Sequence, residues 1–145
     1  MDIFILGILI LVNGLFSMSE IALVAARKAR LEGQADRGDK KAKLALEMSS
    51  HPETFLSAVQ IGITLISIVT GVYSGEKFSK DLQPVIERVE LFQPYAEGIS
   101  TALIVVVVTF VSLIFGELIP KRIGLLRSEK IAKNAAGPMR FFARL

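Results

Sequence analysis

Apolar residues fall in three long runs, separated by connections that hold almost all of the charge. The first run extends from Ile3 to about Ala26, the second from Phe55 to about Tyr73, and the third from Ile99 to Ile119. A bilayer core about 30 Å thick needs roughly 20 mostly apolar residues per spanning helix. Lipid offers backbone amides no partner, so only helices and closed barrels can span it. Val105 to Val108 is a β-branched run that would read as a strand in water, but the length of its segment predicts a helix. The pattern therefore predicts an all-α integral membrane fold with three transmembrane helices plus amphipathic juxtamembrane helices, forming a single domain over residues 1–145.

The connections carry their own signals. Leu31 to Met48 reads as an amphipathic helix broken near Gly38, with Leu44 and Met48 on its apolar side, either solvated or packed at the interface. Ser50-His51-Pro52-Glu53 combines a capping Ser, a first-turn Pro and an early acid, and so predicts the start of the second span. Gly75 to Glu97 is polar and contains Pro84 and Pro94, with one short amphipathic helix expected around Val85 to Phe92. After Pro120 comes a basic tail, Lys121 to Leu145, with amphipathic character around Met139, Phe141 and Phe142. The first run is a span and not a cleaved signal. It is preceded by Asp2 with no Lys or Arg, and its apolar pattern continues past Asn13.

Charge sets the orientation. Seven basic residues lie in the first connection (Arg27, Lys28, Arg30, Arg37, Lys40, Lys41, Lys43) and seven in the tail (Lys121, Arg122, Arg127, Lys130, Lys133, Arg140, Arg144). The connection between the second and third spans has only Lys77, Lys80 and Arg88, against five acids. Basic segments stay in the cytoplasm, which predicts a multi-pass cell-membrane protein with its N-terminus outside and its C-terminus cytoplasmic. The net charge of +3 follows from this asymmetry. Membrane lipids with anionic headgroups are the expected partner of the tail, and no nucleic acid is. With no Cys and one His, thiolate or imidazole metal clusters and His-based triads are excluded. No nucleophile–base pair or phosphate-cradling glycine loop occurs, so the chain is not expected to be an enzyme.

The functional signal lies in polar residues within the spans. Ser57, Gln60, Thr64, Ser67, Gly71 and Ser74 are three or four residues apart and share one face of the second helix. The first span has Asn13, Ser17 and Glu20; the third has Thr101, Thr109, Ser112, Gly116 and Glu117, ending at Pro120. Small and hydroxylated residues also serve helix packing, and each single Ser or Thr is open to that reading. A carboxylate within the membrane is costly unless paired, hydrated or coordinated. Glu117 sits three residues before Pro120, which cannot donate to the Gly116 carbonyl. A freed carbonyl beside a carboxylate offers oxygens to a hard cation such as Mg²⁺. Glu20 is close enough to Arg27 to be solvated or salt-bridged instead.

Three strings carry a resemblance: Asn13-Gly-Leu-Phe-Ser-Met-Ser-Glu-Ile-Ala-Leu-Val-Ala-Ala-Arg27, Phe55-Leu-Ser-Ala-Val-Gln-Ile-Gly-Ile-Thr64, and Phe115-Gly-Glu-Leu-Ile-Pro-Lys-Arg122. Together, in this order and over the whole chain, they resemble the membrane domain of the CorC/cyclin M family of Mg²⁺ transporters. The resemblance implies a homodimer that exports or transports Mg²⁺ by alternating access, with Na⁺ as the candidate coupling ion. It implies a dehydrated Mg²⁺ held by Ser17, Ser67, Gly116 and Glu117; Asn13 and Glu20, polar residues of the first span, and Thr64 are secondary candidates. Some members are polar where this chain has Ile63, so one ligand is missing or comes from Thr64. Full-length members continue into paired CBS modules and a C-terminal domain. The chain is thus expected to be a truncated portion, with ATP bound only in those cytosolic domains. The competing expectation is a non-transporting membrane scaffold or Mg²⁺-sensing module whose polar helix faces form a dimer interface.

Overall fold

The computed structural model describes residues 2–144; Met1 and Leu145, the last residue of the expected basic tail, lie outside the described residues. Every regular element among them is helical. Three helical segments are long and apolar enough to cross a membrane: Asp2–Ala25, Pro52–Ile86 and Gln93–Leu126. The first is α1 (Asp2–Ala25); it is followed by a hairpin of two short helices, α2 (Lys28–Asp36) and α3 (Lys40–Ser50). Gly38 makes the break between them, at φ +94°, a conformation that glycine adopts without steric cost. Asp39 then caps α3, its carboxylate accepting from the backbone N–H groups of Lys41 and Ala42.

The second crossing, α4 (Pro52–Ile86), is 35 residues, or about 52 Å at 1.5 Å per residue, and so outruns the apolar core. Two expectations are corrected here. Ser50 does not cap it: Ser50 ends α3, where its hydroxyl donates back to the Leu46 carbonyl, and α4 starts on Pro52 with no side-chain cap. Nor is there a separate helix over Val85–Phe92. The helix of the second span continues through the polar stretch after Tyr73 to Ile86, and residues 87–92 only turn. Pro84 is tolerated because it lies two residues from the helix end, where its missing N–H costs a single hydrogen bond.

A 3₁₀ turn (Gln93–Tyr95) leads into α5 (Ala96–Leu113), a π-helical turn (Ile114–Leu118), and α6 (Ile119–Leu126), a nearly continuous third crossing. The amphipathic α7 (Ser128–Arg144) follows. Met139 is buried in it, whereas Phe141 and Phe142 are exposed, the latter edge-on to Phe16 with ring centroids 5.1 Å apart.

The main buried core is not mid-membrane. It gathers at the basic end, where Leu23, Leu31, Met48, Phe55, Val59 and Met139 bring α1, α2, α3, α4 and α7 together. The α2–α3 hairpin is thus packed, not merely solvated. It is also tied to α7 by Lys133–Asp39 (2.9 Å), Arg30–Glu129 (3.7 Å) and Arg140–Glu47 (3.8 Å). Elsewhere the spans present Leu65, Ile68, Val106 and Phe110 outward, as hydrocarbon surroundings allow and water would not.

Candidate functional site

The site begins with a backbone irregularity. A regular helix through Pro120 would need a donor for the Gly116 carbonyl, and Pro120 has none. The chain answers with the π turn over Ile114–Leu118, where the Ile119 N–H reaches back five residues to the Ile114 carbonyl. Gly116 is buried in that turn, and the Asn13 amide Nδ2 donates to its carbonyl at 3.4 Å. The lack of a Cβ allows this close approach: one built on Gly116 would stand 3.1 Å from Asn13 Nδ2, so the amide would have to give way slightly, and 3.5 Å from the Ile10 carbonyl.

Close approach holds α1 against this turn and α6. A Cβ on Gly14 would lie 2.9 Å from Pro120 Cγ and 3.3 Å from the Phe115 carbonyl. One on Gly124 would overlap Ile21 Cγ2 and approach the Met18 carbonyl to 2.7 Å. Glycines on both helices therefore set the crossing, and the π turn is carried against α1.

Between this unit and the other spans lies a cavity of about 230 Å³. Ile10 and Asn13 line it from α1, and Ser67, Thr70, Gly71 and Ser74 from α4. From the third crossing come Val105, Val108, Thr109, Ser112, Leu113 and Glu117. Its polar groups are incompletely paired. Thr70 and Ser74 hydroxyls donate to the Ile66 and Gly71 carbonyls. Asn13 Oδ1 and Ser112 Oγ are buried with no partner among the described residues. Orphaned buried oxygens normally need a water, an ion or a ligand.

Of the residues singled out from sequence, the structure brings Asn13, Ser67 and Glu117 to one cavity, with Gly116 directly behind Asn13. Ser17 does not line it. It lies one turn along α1, fully buried, its Oγ also without a partner among the described residues. Glu20 is a further turn along and pairs with Lys121 at 3.8 Å. Thr64 is exposed on α4, three residues from Ser67 and outside the cavity; Ile63 is buried in the core. Ser112 is among the polar residues of the third span, but the sequence does not assign it to the ion site. On a regular helix it would point about 140° away from Glu117, five residues on, and only the wider π turn turns both into the cavity.

Chemically, the cavity offers one carboxylate, hydroxyls and an amide oxygen. No group of three or more His, Cys, Asp or Glu that could hold a metal occurs among the described residues. Such a set suits a cation that keeps part of its hydration, since about eight waters of roughly 30 Å³ fill the same volume.

Comparison with known proteins agrees with the architecture. A family model described as the cyclin M transmembrane N-terminal domain matches residues 4–145. A UPF0053 protein of Synechocystis sp. is 48% identical over 145 residues, covering 100% of this chain and 32% of its own length. The protein YhdT of Bacillus subtilis is 34% identical over 141 residues, covering 97% of this chain and 31% of its own. A polyamine export protein of Salmonella typhimurium is 36% identical over 140 residues, with the same 97% and 31%. The chain thus spans about a third of the length of these relatives. With three crossings, a π turn at Gly116-Glu117 and a matched family model over nearly its whole length, the chain belongs to the cyclin M transmembrane-domain family.

Proposed function

We propose that this domain moves a cation across the membrane through the cavity beside Glu117, and that Mg²⁺ is the cargo. The observation that carries the reading is the pair of buried oxygens, Asn13 Oδ1 and Ser112 Oγ, unpartnered among the described residues in a cavity that also holds Ser67 and the Glu117 carboxylate. A single carboxylate among neutral oxygens suits transport, because an ion must bind well enough to enter and weakly enough to leave. Ser17 and the Gly116 carbonyl supply further oxygens nearby, and the cavity volume leaves room for waters on the ion. Transport, not catalysis, is the activity, with Na⁺ the candidate for coupling. Movement of α4 against the glycine-locked unit of α1, π turn and α6 would open the cavity alternately to each side.

The basic end lies in the cytoplasm and the N-terminus outside, on the distribution of Lys and Arg. The protein works as a homodimer. Ser57, Gln60 and Thr64 are exposed along one flank of the α4 span, and a second copy would shield them from lipid.

Titration of the purified chain with Mg²⁺ tests the reading, wild type beside Glu117→Gln and Ser67→Ala. Binding that both variants abolish while staying folded supports it. Unchanged binding in both puts any ion elsewhere and leaves a scaffold or sensing role. A second reading rests on the apolar part of the cavity wall, Ile10, Val105, Val108 and Leu113. Such a wall suits the methylenes of a short diamine, with Glu117 on its ammonium, and relatives of Salmonella and Escherichia coli are named polyamine export proteins. The same titration with 1,4-diaminobutane decides between the two cargoes.

A further inference from the structure

Below the cavity, a column of polar groups continues toward the basic end. Asn13, Ser17 and Glu20 are spaced four and three residues apart and so descend one face of α1. Asn13 lines the cavity, Ser17 follows with its fully buried Oγ unpartnered among the described residues, and Glu20 comes last. On the facing wall, Lys121 stands four residues beyond Glu117. Its ammonium lies 3.8 Å from Glu20 Oε2, with 40% of the Lys121 side chain exposed and 21% of that of Glu20. A cation is therefore already held at the lower end of the column, and it belongs to the protein.

We propose that Glu20 is a second cation station, between the cavity and the basic end, and that the Lys121 ammonium is its built-in occupant, displaced when a cation passes. The proposal rests on reading the cavity as a cation site. An ion leaving Glu117 must cross a low-dielectric stretch in which an isolated charge is strongly disfavoured, and a carboxylate two turns further along α1 shortens that stretch. Left bare, that carboxylate would trap the ion. An ammonium on a four-carbon stem is a compact charge that can take its place and then swing into water. The partial exposure of Lys121 gives it somewhere to go. A merely structural ion pair across α1 and α6 makes the opposite forecast: removing Lys121 would weaken the fold and add no ion binding.

The test is Mg²⁺ titration of the whole chain in lipid nanodiscs. The wild type should show one binding event, lost in Glu117→Gln. Lys121→Gln should gain a second event that survives in Glu117→Gln/Lys121→Gln and disappears when Glu20→Gln is added. Lys121→Arg, which keeps the tethered charge, should behave as the wild type. A folded Lys121→Gln with a single event of unchanged affinity overturns the station while leaving the cavity reading intact. A wild type that binds no Mg²⁺ overturns the cavity reading, and the Glu117→Gln/Lys121→Gln variant then decides the station alone. Should Lys121→Gln not fold, Glu20→Gln decides. It should retain the Glu117-dependent event and lose most of the Mg²⁺ flux into proteoliposomes; unchanged flux overturns the proposal.

Discussion

Single residues in this protein often serve two contacts at once, and Asp39 shows what that implies. Its carboxylate caps α3 and accepts a hydrogen bond from Lys133 of α7 at 2.9 Å. The Lys133 hydrogen bond, with those of the Ala42 and Lys41 amides, holds its pKa below the ordinary 3.8 despite some desolvation. A carboxylate with a depressed folded pKa adds stability above its unfolded pKa and loses it as pH falls through the folded value. The Asp39 contribution should therefore be complete at neutral pH, begin to fall only as pH approaches the ordinary 3.8, and vanish below the folded pKa, which is lower still. Melting curves against pH for wild type and Asp39→Asn should differ at neutral pH and converge in acid. Asp39→Ala, which also removes the cap acceptor, should melt below Asp39→Asn throughout. The capping role follows from Asp39 standing just after Gly38, but the partner on α7 is 94 residues away and sequence spacing gives no hint of it.

At the scale of elements, the spans are legible because a bilayer enforces continuous apolar runs, and the break at Gly38 is legible because few residues but glycine turn a chain so tightly. Two features are not. The helix of α4 ran on to Ile86, since between Tyr73 and Pro84 only Gly75 works against it, and a polar stretch by itself does not end a helix. The π turn adds a residue to a helix whose length alone looks ordinary. Its cause was visible in Pro120, its consequence for Ser112 was not. Pro120→Ala restores a donor for the Gly116 carbonyl and should let the turn relax to a regular helix. Ser112 and Glu117 would then diverge, and Mg²⁺ affinity should fall at least about tenfold, or roughly 1.4 kcal/mol, with the protein still helical by circular dichroism. Retained affinity would mean that the turn is not needed for the site. The glycine crossing has a separate signature. Gly124→Ala brings a methyl against the Met18 carbonyl, a backbone atom that cannot rotate away. It should cost about 1–3 kcal/mol of stability, read as a lowered melting temperature.

For the whole molecule, charge and burial are polarised along the direction of the spans. The packed core, the ion pairs to α7 and most of the basic residues all lie at one end, and the polar end of α4 with its acidic loop lies at the other. This polarity of charge is legible along the chain because it needs only counts of residues. It could not give the cavity, which depends on which polar atoms are left unpaired once three crossings meet. The absence of cysteine makes the orientation directly measurable. Gly33→Cys places a thiol on α2, where a Cβ meets nothing within 4 Å, and Glu90→Cys places one in the exposed turn between α4 and α5. In intact cells, a membrane-impermeant maleimide should label Glu90→Cys and spare Gly33→Cys until the membrane is opened. The reverse pattern would put the basic end outside, against the rule that keeps Lys and Arg in the cytoplasm. The column from Asn13 to Glu20 would then lead outward, and Lys121 would guard the external mouth of the path instead of the internal one.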